Sequence, residues 1–171
     1  MSRLLTTRLV LDPLSLDDAS DLFEARGNPE VMSFWDWPAD PSPDITRAMV
    51  VQMLAEVGAG RAHYWTMRIR GDRAFVGVVD LSDLGSSRSA ELGFMLARRW
   101  WGCGLAHEAI ASVLEYARAL EITSIHARVA DQNNRSVRLL QRLGFAAVES
   151  LPHFEVRPGV FRDSHRFQKI V

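Results

Sequence analysis

Two glycines set just ahead of a strongly amphipathic run give this chain its first opportunity for chemistry. In Arg99-x-x-Gly102-x-Gly104 a β-type segment gives way to a helical pattern that begins at Leu105. Glycine lets a backbone turn tightly and lie close to a ligand. A helix start adds N–H groups without intrahelical partners and the positive end of the helix dipole. Together they form a cradle for a phosphate or pyrophosphate. The dinucleotide fingerprint needs a third glycine where His107 stands, and the mononucleotide loop needs Gly-Lys-Ser/Thr, which is absent. A tight strand-to-helix turn without a ligand is the plain alternative. A nucleophilic Cys103–His107 pair is another, since a helix start lowers a thiol pKa, but the cradle already explains the glycines.

A second constellation follows in Asp131-Gln-Asn133-Asn-Arg-Ser136-Val-Arg138. Asn133 and Ser136 fall at the mouth of a helix, beyond the carboxyl end of a strand, where open α/β sheets take their ligands. Arg135, Arg138 and Arg142 recur at helical spacing, suited either to a further phosphate or to a solvated face. Trp35 and Trp37 lie in the proline-rich stretch Asn28–Pro43. They serve there as a substrate-facing wall or simply pack onto the core. His63, His126, His153 and His165 show no ligand spacing, so no metal is expected.

These residues need elements to hold them. Arg8–Leu14 reads as a strand, Asp17–Arg26 and Asp44–Val57 as helices, and Tyr64–Ile69 with Phe75–Leu81 as a hairpin turning at Gly71-Asp72. Prolines deny a helix across Asn28–Pro43. Ala90–Leu96 is a strand. Leu105–Leu120 is a helix whose apolar positions Leu105, Ala109, Ile110, Val113, Leu114, Ala117 and Leu120 share one face. Ser124–Val129 is the next strand and Asn134–Leu143 a helix stopped by Gly144. Ala146–Leu151 and Phe161–Ile170 close the chain as an antiparallel pair, joined through Pro158 and Gly159. A strand, a crossover helix and another strand imply that Ala90–Leu96 and Ser124–Val129 run parallel. The expected fold is α+β, a mixed and mostly antiparallel sheet of about seven strands flanked by about four helices.

Composition fits one domain spanning residues 1–171. The chain is 47% apolar and 24% charged, with a single cysteine that excludes an intrachain disulfide. A net charge of −1 leaves no field for general nucleic-acid binding. Neither a signal peptide nor a membrane-spanning run is apparent, so a cytoplasmic protein is expected.

The pairing of Arg99-x-x-Gly-x-Gly104-Leu-Ala with Asn133-x-x-Ser136 and Leu143-Gly-Phe145 resembles the GNAT N-acetyltransferases, nearest to the broad RimJ/RimL-like branch named for ribosomal-protein N-terminal acetyltransferases. The opening Thr7-Arg-Leu-Val-Leu, Asn28-Pro-Glu-Val-Met32 and Ala90-Glu-Leu-Gly-Phe94 share the likeness. The resemblance implies acetyl-coenzyme A as co-substrate and transfer to a primary amine, either a protein N-terminus or a small molecule. Gly102, Cys103, Gly104, Leu105 and Ala106 would hold the pyrophosphate through backbone N–H groups, with Arg99 and Arg138 nearby. The pantetheine arm would lie along Phe94, Met95 and Leu96, in a splay beside Ser124–Val129, with Asn133 bonded to it. A free strand N–H near Met95 would serve the oxyanion. Leu140 stands where many members carry a tyrosine acid. The near branch instead pairs a serine acid with a glutamate base, which map onto Ser136 and Glu155, and Glu91 is a rival base. The missing tyrosine keeps open a non-catalytic, coenzyme A-binding alternative. Oligomeric state is left open, a homodimer included.

Overall fold

The computed structural model describes residues 1–85 and 87–171. Eight strands form one sheet: β1 (Leu4–Leu5), β2 (Leu9–Pro13), β3 (His63–Ile69), β4 (Phe75–Ser82), β5 (Ser89–Leu96), β6 (Ser124–Ala130), β7 (Ala146–Arg157) and β8 (Val160–Ile170). Their order across the sheet is β1-β2-β3-β4-β5-β6-β8-β7. Five helices accompany them among the described residues: α1 (Ala19–Arg26), the single-turn α2 (Pro29–Met32), α3 (Pro43–Gly58), α4 (Leu105–Ala119) and α5 (Asn134–Arg142). A 3-10 turn, Leu16–Asp18, leads into α1. The expected mixed sheet is present, one strand larger because of the two-residue β1.

The parallel pair is the feature that matters most. β5 and β6 match only at Ser89↔Ser124, Ala90↔Ile125 and Glu91↔His126, although both strands continue beyond. Past Glu91 the two strands part. Every other neighbouring pair is antiparallel.

The sheet carries two cores. α4 buries Leu105, Ala109, Ile110, Val113, Leu114 and Ala117, the stripe its spacing predicts, against Val76, Val79, Leu81 and Leu92. Leu120 departs from that stripe: it follows the helix as its C-cap and is 43% exposed. On the other face Leu22, Ala25 and Val50 from α1 and α3 pack with Phe75, Val78 and Met95. Alternation of strand side chains sends neighbours such as Val78 and Val79 to opposite cores.

Two expectations are corrected here. A helical turn does form within Asn28–Pro43, because Pro29 occupies its first position, where a missing N–H costs nothing. The Asn28 side chain accepts from Glu30 N at 2.9 Å and caps it. The final hairpin is also longer than expected, with β7 running to Arg157, so residues 152–157 are strand and not connection.

Candidate functional site: the cleft where the sheet parts

The parting of β5 from β6 opens a cleft of about 1690 Å³. Phe94, Met95 and Leu96 line one wall, and Ala127, Arg128, Val129 and Ala130 line the other. In an antiparallel ladder, hydrogen-bonded pairs alternate. Ala97 N–H bonds Val76 O at 2.9 Å, on the β4 side of the strand. Counting back from it, the N–H groups of Phe94 and Leu96 face the gap, flanking the position expected near Met95.

At one end of the cleft the chain makes its two-glycine bend. Gly102 and Gly104 sit at φ +79° and +77°, left-handed conformations that residues with a Cβ avoid. A Cβ built on Gly102 would meet nothing within 4 Å, and one on Gly104 only Arg8 Nη2 at 3.5 Å. Glycine is therefore needed here for the turn, and open space lies over the bend. Gly104 caps α4 with no side-chain hydrogen bond, so the first-turn amides lack an intrahelical partner. Glu108 anchors the helix from behind: its carboxylate accepts from Thr6 Oγ1 at 2.6 Å, Arg8 N at 2.6 Å and Arg8 Nε at 2.7 Å. Burial pushes this carboxyl upward, and the Thr6 and Arg8 hydrogen bonds more than offset that, holding it below its ordinary range.

Opposite the bend, the start of α5 lines the cleft with Asn133, Ser136 and Arg138. Asn133 Oδ1 accepts from Ser136 N at 3.2 Å, so the asparagine is the helix cap. The Ser136 side chain is left to face the cleft. Arg135 lays its guanidinium over the Trp101 ring at 4.8 Å, while Arg98 stands 4.8 Å from the same centroid. The tryptophan and two cations thus bridge α5 to the bend.

The residues singled out from the sequence divide as follows. Phe94, Met95, Leu96, Gly102, Gly104, Leu105, Ala106, Asn133, Ser136, Arg138, Glu91, Trp35 and Trp37 all line this cleft. Arg99, Cys103 and Glu155 do not. Arg99 pairs with Glu24 at 3.1 Å and donates to Phe75 O at 3.2 Å, stacked on Trp100. The Cys103 thiol is exposed and directed at Trp101 O. Glu155 lies in β7 opposite Phe161, where its carboxylate accepts from Gly159 N at 2.9 Å and steadies the hairpin turn. Trp35 packs against the α1–α3 core and also lines the cleft, whereas Trp37 lines the cleft and is 52% exposed.

Trp100 and Trp101, which precede the bend in the sequence and read there chiefly as packing residues, do line the cleft, and sequence reasoning missed Asp36, Asp80 and Tyr64. The Trp100 and Trp101 indoles donate to Phe75 O at 2.7 Å and Leu96 O at 3.0 Å. Asp36 ties the tryptophan loop over the cleft by pairing with Arg128 and by accepting from Arg157 at its carbonyl. Asp80 and Tyr64, paired across β3 and β4, form the floor at the α1–α3 side. Burial, then the nearby Asp80 and Glu56, push the Tyr64 hydroxyl up to about 12. Alternation in the hairpin carried the signal for Asp80, a lone carboxylate within the run Phe-Val-Gly-Val-Val-Asp-Leu.

Residues 8–146 match the family model described as an acetyltransferase (GNAT) domain. The chain belongs to the GNAT acetyltransferases. It is 28% identical to an uncharacterized N-acetyltransferase, p20, of Bacillus licheniformis, over 98% of this chain and 95% of that protein. Among solved structures it superposes with TM-score 0.88 and 17% identity on the Salmonella typhimurium acetyltransferase that modifies the N-terminal serine of ribosomal protein L7/L12, covering 99% of each chain. It also matches the Vibrio cholerae spermidine N-acetyltransferase in complex with coenzyme A and spermine, at TM-score 0.84 and 22% identity over 96% of each chain. At these identities the structural matches show the GNAT fold. Among the described residues no three His, Cys, Asp or Glu side chains gather as a metal site. No helix there is long and apolar enough to cross a membrane.

Proposed function

We propose that this GNAT protein transfers the acetyl group of acetyl-coenzyme A to a primary amine by direct attack, with both substrates held in the cleft. The observation that carries the reading is the open two-glycine bend, with an uncapped helix start, set beside a gap between diverging parallel strands. The bend fits a diphosphate: no side chain caps the start of α4, a Cβ on Gly102 would meet nothing within 4 Å, and only Arg8 comes near one on Gly104. The gap fits a thin, amide-bearing arm, which Phe94 and Leu96 can meet with free backbone N–H groups. Arg138 and Arg135 add positive charge at the phosphate end.

Bound acetyl-coenzyme A supplies an activated thioester, and the remaining work falls to the chain. The Phe94 and Leu96 N–H groups would stabilise charge gathering on the acetyl oxygen, the role of an oxyanion hole. The Ser136 hydroxyl would hydrogen-bond the departing sulfur. Asn133 fixes the start of α5 through its carbonyl oxygen, leaving its amide nitrogen to donate to the arm. Glu91, at the point where the strands part, would draw an ammonium into reach. Trp35 and Trp37 would wall the acceptor side. A protein N-terminal amine and a small polyamine both suit an amine site of this kind, and relatives acting on each class share the fold.

The test is thiol release from acetyl-coenzyme A in the presence of short peptides with N-terminal serine or alanine, or of spermidine. We expect turnover with at least one of them, and a lowered kcat with unchanged coenzyme affinity in Ser136→Ala. Tight coenzyme binding with no release across these amines would favour a non-catalytic binding domain. Absence of coenzyme binding would remove the reading altogether.

A further inference from the structure

We propose that Asp80 is the general base of this site, taking the proton from the acceptor ammonium before it attacks. The inference rests on the acetyl-transfer reading above and assigns a step which that reading leaves open.

Asp80 lies on β4 opposite Gly93 of β5, and Glu91 follows diagonally, opposite Ser82. All of these line the cleft, on the sheet face turned toward α1 and α3. Gly93 is what lets the carboxylate reach the gap: a Cβ there would fall 2.4 Å from Asp80 Oδ1 and 2.9 Å from Oδ2. With hydrogen in its place, the carboxylate lies across β5, two residues before Met95 and level with the parting of the strands. It is therefore carried from a neighbouring strand to the acetyl end of the cleft.

Its surroundings suit a base that must first bind a cation and then neutralise. The arginines of the lining nearest this face are already committed, Arg26 to Asp40 at 2.7 Å and Arg128 to Asp36. The groups that do face Asp80 are Tyr64 from β3, Ser82 from β4 and Glu91 from β5, while Glu56 of α3, beyond Tyr64, is already paired with Arg61 at 2.6 Å. Not one of them is a cation, so an incoming ammonium supplies the missing positive charge. Burial chiefly, with the Glu91 charge adding and the Ser82 hydroxyl opposing, lifts the carboxyl to about 7. A base so tuned is matched to neutral pH, and it stands within about a unit of an α-amine, whose usual value is roughly 7.7–8.0.

The protons balance. The ammonium gives one to Asp80, whose carboxylate becomes a carboxylic acid and later returns it to water. The neutral nitrogen forms the C–N bond while the C–S bond breaks. A second proton leaves the nitrogen for the thiolate, giving the coenzyme thiol and the acetamide.

The experiment measures kcat/KM against pH for wild type, Asp80→Asn and Gly93→Ala, with the serine- and alanine-terminal peptides and spermidine as probes. For wild type we expect a bell whose acid limb falls as pH drops through about 7. Asp80→Asn should lose about 10²- to 10⁴-fold at neutral pH. It should also lose the acid limb, its rate rising with pH until the free amine predominates in solution. Gly93→Ala, which pushes the carboxylate aside without removing it, should lower kcat while coenzyme affinity holds. A further readout needs no turnover. The Asp80 carboxyl carbon, followed by ¹³C NMR with coenzyme A bound and assigned by its loss in Asp80→Asn, should titrate near 7. Full rate and a retained acid limb in a folded, coenzyme-binding Asp80→Asn would overturn the assignment, as would titration in the ordinary carboxylate range. Coenzyme binding by wild type with none of the probes acetylated would instead overturn the acetyl-transfer reading, and this step with it.

Discussion

Replacing Gly102 by alanine separates the two duties of the bend, being foldable and being open to a ligand. Gly60, which follows α3 far from the cleft, provides a matched reference. Its φ is +72° against +79° at Gly102, and a Cβ at either position meets nothing within 4 Å. An alanine in this left-handed region costs about 1–2 kcal/mol. A chain of this size loses about 2–4 °C per kcal/mol, so each variant should melt roughly 2–8 °C lower. They should diverge on coenzyme. A hydrogen bond to a charged group contributes about 1.5–3 kcal/mol. A methyl standing over the amides that displaces one such bond therefore removes about 1.5–3 kcal/mol. That is a weakening of roughly 10- to 140-fold in Kd for Gly102→Ala. Gly60→Ala should bind as wild type does. Titration calorimetry with coenzyme A, paired with thermal melts of the same preparations, measures both quantities. If Gly102→Ala binds within threefold of Gly60→Ala, no phosphate rests on this bend, and the reading built on it fails.

Asp40 accepts from Arg26 at 2.7 and 3.0 Å and from Thr46 at 2.6 Å, all three residues buried. Asp40→Asn strands the Arg26 charge and should cost about 3–5 kcal/mol, read by denaturant unfolding. A loss below 1 kcal/mol would mean that the charge finds water. The lowered Glu108 carboxyl contributes stability that is present above its ordinary value of 4.5 and is lost as pH falls through the folded value. Glu108→Gln should therefore melt lower at neutral pH and lose less of its Tm on acidification, and equal acid sensitivity would contradict this. Asp36→Ala frees the tryptophan loop from Arg128 and Arg157, and should raise KM for the amine severalfold while Kd for coenzyme A stays unchanged in calorimetry.

Periodic and glycine-punctuated stretches were readable in advance. The stripe of α4, the hairpin at Gly71-Asp72 and the stop at Gly144 follow from spacing and backbone freedom, so the bend and the start of α5 could be placed before any coordinates. Long-range partners were not readable. Arg99 resembles a phosphate ligand in the motif, yet Glu24 and Phe75 O, over twenty residues earlier in the chain, claim it. Glu155 resembles a base, yet the hairpin extends past the point where turn residues suggested it would end, and the carboxylate serves Gly159. Asp80 carried no motif. Hairpin alternation marks it as a lone carboxylate in an apolar run, and the register adds that it lies over a glycine on the next strand.

The brevity of the β5–β6 seam has a mechanical consequence. Three matched residues are all that stitch the five N-terminal strands to the three C-terminal ones along the ladder. What else joins the two groups of strands is the packed core, in which Val76, Leu92 and Ile110 share one cluster with Ile125, Val129 and Phe167. The ladder is thus thinnest at Ser89–Glu91, and amide exchange along that seam should slow once the mouth beside it is filled.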